Sequence, residues 1–174
     1  MHPDFEKLEV LAREKEEENW EFRTYLKWNC KLSDKKLDRL VSELTDNVWA
    51  DIDCASCGRC CKELRPEFSE KEQQRLAKRL GMSVEQFREQ YLKYDDTEDE
   101  LGWRTRQTPC PFLDGTRCSV HEERPKQCRD YPYLYKPDFS FRTIGMIERT
   151  FTCPVVFQVT EELKKHLAFR YRGR

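Results

Sequence analysis

Cys54, Cys57, Cys60 and Cys61 stand in the order C-x-x-C-x-x-C-C, and Cys110, Cys118, Cys128 and Cys153 follow at wider spacing. Thiolates are soft donors that suit zinc, copper(I) and iron-sulfur clusters rather than magnesium or calcium. A C-x-x-C step brings two sulfurs together on one tetrahedral metal when the intervening backbone turns back on itself. Cys54–Cys57 and Cys57–Cys60 both have that spacing. Three thiols at i, i+3 and i+6 can also clasp successive corners of an iron-sulfur cube, so the spacing admits either metal. Gly58 follows the second thiol directly. A glycine there can take positive φ and let a backbone N–H approach the sulfur, which makes Gly58 a cofactor-binding candidate.

Cys60 and Cys61 are adjacent, and adjacent side chains diverge by about 100° on a helix and point to opposite faces on a strand. The pair is therefore expected to serve two sites, to bridge metals, or to leave one thiol free. Eight thiols divide arithmetically into two four-thiolate sets, and two nearby centres or one multinuclear centre is the expectation, with the partition open. A four-thiolate centre is anionic, so Arg59, Lys62, Arg117, Arg124 and Arg129 are candidates for offsetting its charge, with Arg124 and Arg129 placed beside Gly58 as cofactor-binding residues. Pro109, Pro111, Pro125, Pro132 and Pro154 stiffen the loops around the later thiols. Cys30 reads as a small half-buried thiol and His121 as an ordinary surface or capping histidine. No catalytic residue emerges: the chain has three histidines in no acid-base constellation, and G-x-G-x-x-G, H-E-x-x-H and G-x-S-x-G are absent.

The elements that must carry these residues read as mostly helical. Residues 4–28 repeat Phe5, Leu8, Leu11, Phe22, Tyr25 and Leu26 at threes and fours around the charged run 13–18, which predicts one long N-terminal helix. After Ser33 as N-cap, Leu37, Leu40, Val41, Leu44 and Val48 form a clear apolar stripe. Capping boxes at Ser69–Glu72 and Ser83–Gln86 open helices over 69–80 and 83–94. The acidic run Asp95–Glu100 is expected as a solvated loop, and its spacing does not fit an EF-hand. Residues from 101 onward look extended, with an Asp114-Gly115 hairpin turn that could bring Cys110 and Cys118 together. Residues 139–152 also look strand-like, and Val155–Phe169 closes as a helix with Val156, Val159, Leu163 and Leu167 on one side. The basic tail 170–174 reads as a frayed end.

Apolar and charged residues each make up 37 % of the 174-residue chain and aromatics 12 %, which implies a small core with long solvated helices rather than disorder. The expected architecture is a mostly helical α+β single domain, with short strands and ligand loops nucleated by the cysteine-rich site. Within it, 1–50 is an N-terminal helical segment, 51–158 the metal-binding domain and 159–174 the C-terminal helix and tail. The net charge of -1 gives no pull toward nucleic acid. No secretion signal and no run of apolar residues long enough for a membrane span is found, so the expected location is cytoplasmic. In that reducing compartment nine cysteines, an odd number with one vicinal pair, point to metal rather than disulfides.

Four ordered blocks, Cys54-x-x-Cys57-x-x-Cys60-Cys61, Cys110-Pro111-Phe112-Leu113 with Cys118, Arg124-Pro125-x-x-Cys128-Arg129-x-Tyr131-Pro132, and Cys153, make the chain resemble the CxxCxxCC (YkgJ-type) family over about residues 53–154. That family is described as zinc- or iron-chelating and is related to flagellin lysine N-methylase. The resemblance implies chelation of zinc or iron by the eight cysteines in a bacterial-type cytosolic protein. The leading expectation is a protein that binds an iron-sulfur cluster or zinc, with a structural, sensing or electron-transfer role. A metal-assisted group-transfer enzyme is the first alternative, with Tyr131 and the Cys60–Cys61 pair as the place to look. The second is an adaptor with structural zinc that binds a protein partner through its N-terminal helices.

Overall fold

The computed structural model describes residues 7–97 and 101–173, with Ser56 described by its backbone alone. Phe5 of the first expected stripe, residues 98–100 of the acidic run and Arg174 of the tail lie outside the described residues. The protein is a mostly helical α+β chain with a few short antiparallel strands, as expected. Its chain divides into two units, Met1–Asp53 with Pro132–Arg174, and Cys54–Tyr131.

The first unit is helical throughout its described elements. Leu8–Glu14 (α1) and Glu16–Trp28 (α2) replace the single helix expected there, because the backbone departs from helical geometry at Lys15 (φ -97°, ψ 0°). That break sets the Lys15 ammonium 2.7 Å from Glu18 and 3.8 Å from Glu161. Asp34–Asp51 (α3) carries the expected stripe, with Leu37, Val41, Leu44 and Val48 buried, and Ser33 stands at its N-cap.

Residues 139–152 are not extended. A 3₁₀ turn over Phe139–Arg142 leads into a helix at Thr143–Thr152, followed in the C-terminal stretch by Pro154–His166. The segment is rich in β-branched and aromatic side chains, which favours strand by propensity. Its buried residues Thr143, Met146, Ile147 and Thr150 instead recur at i, i+3, i+4 and i+7, so burying that face on neighbouring helices overrides propensity. Asp38 secures the turn by accepting the N–H groups of Asp138 and Phe139, both at 2.9 Å. In Pro154–His166 the valines Val155, Val156 and Val159 and Leu163 are buried, and the helix stops short of the expected Phe169.

The second unit opens with two short helices, Cys54–Cys57 (α4) and Arg59–Glu63 (α5). Glu70–Arg79 (α6) and Val84–Tyr91 (α7) follow, each opened by the expected capping box. The second of these ends three residues early, because Leu92–Asp96 (β1) pairs antiparallel with Leu101–Thr105 (β2), Leu92 lying opposite Thr105. Asp95 is therefore not in a solvated loop: it is buried and holds the Arg65 guanidinium at 2.6 Å. Leu113–Asp114 (β3) and Arg117–Cys118 (β4) form the expected hairpin around Gly115, whose φ of 60° suits the first place of a two-residue turn. Lys126–Asp130 (α8) closes the unit, and the two helices of the first unit at 143–152 and 154–166 are α9 and α10. Phe68, Leu76, Phe87, Leu92, Phe112 and Val120 make the core of this second unit.

Candidate metal centre

Cys54 and Cys57 sit on the single turn of α4, Cys54 exposed and Cys57 half-buried. Gly58 separates them from α5 with φ 63°, a left-handed conformation that costs an L side chain about 1 kcal/mol or more. A Cβ there would stand 2.9 Å from the Thr116 carbonyl oxygen, so the turn is packed directly on the backbone of the β3–β4 hairpin. Cys60 and Cys61 follow on α5. Their expected divergence does not keep them apart, since the Cys60 side chain hydrogen-bonds the Cys61 sulfur.

The later thiols approach the same place along the edge of the apolar core. Cys110 is itself a core residue, and Cys61 and Cys118 pack against the cluster from its rim. A backbone hydrogen bond from Cys110 N–H to the Cys61 carbonyl (2.7 Å) joins the two loops. The Cys110 sulfur accepts a backbone hydrogen bond from Phe112, and the Cys118 sulfur accepts one from Val120. This i to i+2 arrangement, repeated at two thiols, is a donor set that stabilises thiolate. Cys128 lies in α8, which starts just after Pro125.

Electrostatic coupling links four of the thiols to one another, and Cys60 to Cys61. Burial pushes the Cys110 thiol up to about 11, opposed by the Phe112 N–H and reinforced by Cys61 and Cys118. Burial likewise raises Cys118, with Cys61 reinforcing it, and pushes Cys128 up to about 12 with the fields of Cys61, Cys110 and Cys118 added. Cys61 moves the other way, down to about 7, because the Cys60 side chain hydrogen-bonds its sulfur more strongly than burial penalises its charge. Cys61, Cys110, Cys118 and Cys128 therefore feel one another as a set. Among the described residues, no group of three His, Cys, Asp or Glu side chains stands placed to hold a metal ion.

The remaining sequence candidates have contacts of their own. Arg124 lowers the thiols of both Cys118 and Cys128 by its charge, and its guanidinium lies against the His121 ring at 2.8 Å. Arg129 donates to the Arg124 carbonyl oxygen at 2.9 Å. Arg59 pairs with Glu63 at 3.0 Å, and Arg117 lies opposite Asp114 in the hairpin. Cys153 belongs to the first unit, buried at the N-cap of α10, and Cys30 is half-buried in that unit. Sequence reasoning missed Thr116, the Phe112 and Val120 N–H groups, and the long-range contact of Glu72 with Lys126. The signal for the N–H pair was present: each of Cys110 and Cys118 is followed two residues on by an apolar residue of the core.

A family model described as "CxxCxxCC: Putative zinc- or iron-chelating domain" matches residues 53–154, a range that takes in every cysteine from Cys54 to Cys153. No curated protein and no solved structure matches the chain.

Proposed function

The chain belongs to the CxxCxxCC family of zinc- or iron-chelating domains, and from that premise we propose that Cys61, Cys110, Cys118 and Cys128 are the four thiolates of one metal centre. The observation that carries this reading is the mutual electrostatic coupling of these thiols, with Cys110 inside one apolar core and Cys61 and Cys118 packed against it. Their chemistry fits the group: four soft donors, two of them already accepting backbone N–H groups, with Arg124 acting on two. Zinc or iron, alone or as a cluster, would supply the positive charge that lets these buried and half-buried thiols give up their protons. Cys54, Cys57 and Cys60, on the turns beside Gly58, are the donors for a second metal or for a larger cluster.

The role we assign first is structural. β3 and β4 are two residues each, and α8 is five, lengths that do not hold themselves without tertiary support. A metal that draws Cys61, Cys110, Cys118 and Cys128 together would fasten three such pieces to α5, and its binding free energy would become folding free energy. Sensing and electron transfer use the same centre and differ in whether the metal is redox-active.

The test is metal and acid-labile sulfide counting on protein purified without oxygen, followed by single Cys→Ser substitutions. Zinc without sulfide identifies a thiolate zinc centre, and iron with sulfide a cluster. Loss of metal in Cys61→Ser, Cys110→Ser, Cys118→Ser and Cys128→Ser is expected. Full retention of metal in all four would remove the proposed set.

A further inference from the structure

We infer that Glu72, on a helix that carries no cysteine, is a positioning residue for the metal centre because its carboxylate holds the start of the helix that presents Cys128. The inference rests on the four-thiolate reading above and adds to it the element that sets one ligand in place.

Glu72 is 8 % exposed and uses its two oxygens for different ends. Oε2 accepts the Ser69 N–H at 2.9 Å and the Ser69 hydroxyl at 2.7 Å, which completes the capping box of α6. Oε1 accepts the backbone N–H of Lys126 at 2.6 Å, across 54 residues of chain. A capping box needs only one oxygen, as Gln86 shows at Ser83. The second oxygen is free to act on α8, whose first residue is Lys126 and whose third is Cys128.

Neighbouring contacts have the same direction. From one turn further along α6, Arg75 donates to the Glu123 carbonyl at 2.8 Å, and Arg79 pairs with the Glu123 carboxylate at 3.3 Å. Gln127, between Lys126 and Cys128, accepts the Glu67 N–H. A five-residue helix has too few internal hydrogen bonds to fix its own position. The rigid α6, seated in the core by Leu76 and Ala77, supplies the reference frame.

The discriminating variant is Lys126→Pro. It replaces the N–H that Glu72 accepts by a ring Cδ, so Oε1 must swing off α8 while Ser69 and Glu72 keep the groups of the capping box, and proline fits the first helical position after a residue already extended, as Pro125 is at ψ 158°. Lys126→Ala is its control, because it keeps the N–H and removes the side chain that pairs with Asp130. Zinc affinity is measured by chelator competition, and the cobalt-substituted protein reports thiolate number through its sulfur-to-cobalt charge-transfer band. Lys126→Pro is expected to weaken zinc binding by about 10-fold or more and to lower the cobalt band to that of Cys128→Ser, with Lys126→Ala unchanged. Combining Lys126→Pro with Cys128→Ser should cost no more than Cys128→Ser alone, as expected when one residue acts through the other. Ser69→Ala should lower thermal stability without moving zinc affinity. Glu72→Ala, read by the same two assays, gives the acceptor side of the contact; Lys126→Pro decides alone where that variant does not fold. Wild-type zinc affinity in Lys126→Pro, or losses that multiply in the double variant, would overturn the inference. A wild-type protein that binds neither zinc nor iron overturns the four-thiolate reading and this inference with it.

Discussion

Gly58 rests on the backbone of Thr116, with 2.9 Å between the place a Cβ would occupy and the Thr116 carbonyl oxygen. The turn carrying Cys54 and Cys57 is thereby pressed on the hairpin that carries Cys118, and the contact is backbone on backbone, with no side chain to yield. Gly58→Ala adds the left-handed cost of about 1 kcal/mol to that collision. Urea unfolding of the metal-loaded protein should show a loss of more than about 1 kcal/mol. Gly115→Ala shares the positive φ but meets nothing within 4 Å, so it should cost only the conformational part. Equal losses in the two variants would show that the Thr116 contact carries no weight.

Metal loading should expel protons. At pH 8, Cys110, Cys118 and Cys128 are thiols, held above the ordinary thiol value chiefly by burial, whereas Cys61 with its value near 7 is largely thiolate. About three protons per metal should then leave on binding. Affinity must rise with pH, because each proton released is one that competes less at higher pH. Calorimetry in buffers of different ionisation enthalpy counts them, and a release near zero would contradict the assignment of these thiols as ligands.

In the first unit, Lys164 is nearly inaccessible and lies 2.6 Å from Glu161 and 3.0 Å from Glu18, with Lys15 completing the group. Burial raises the Glu18 carboxyl, yet the hydrogen bonds and charges of Lys15 and Lys164 outweigh it and hold it below the ordinary glutamate value. The stability it contributes is present above the unfolded value and is lost as pH falls through the folded one. Lys164→Met should cost up to about 3 kcal/mol by taking the nearer cation from Glu161 and one of two from Glu18, both half-buried, and should make the remaining stability less sensitive to acid. Adding Glu18→Gln should recover part of that loss. Urea titrations at pH 7 and pH 4 test all of this, and a loss below about 1 kcal/mol would show the group to be solvated.

Asn19 is 2 % exposed, and neither its Oδ1 nor its Nδ2 has a hydrogen-bond partner among the described residues. It borders a cavity of about 20 Å³ lined mostly by apolar side chains such as Phe22, Leu26 and Met146, with Arg23, Thr143 and Thr160 also on its wall. An amide left unpaired in such surroundings costs about 1–3 kcal/mol. Asn19→Leu keeps the γ-branched shape, grows into the neighbouring cavity and removes the polar atoms, so the melting temperature should rise. A fall would mean that the amide is satisfied and the cavity polar.

The donor types and their local spacing were legible before any fold was known, because the C-x-x-C steps, the Gly58 turn and the two capping boxes depend on residues within a few positions of one another. The α3 stripe was legible for the same reason: one periodic face decides burial without reference to the rest of the chain. Residues 139–152 were misread because their side chains favour strand locally, and only packing against other helices makes the i, i+3, i+4 face decisive. Leu92–Asp96 became a strand because Leu101–Thr105 was there to pair with it. The proposed grouping of Cys61 with Cys110, Cys118 and Cys128 has the same origin. It would depend on which loops the Phe68–Phe87–Phe112 core draws together and on the proposed hold of Glu72 on Lys126, 54 residues away, relations that follow from long-range closure of the chain and are not encoded in the spacing of the thiols.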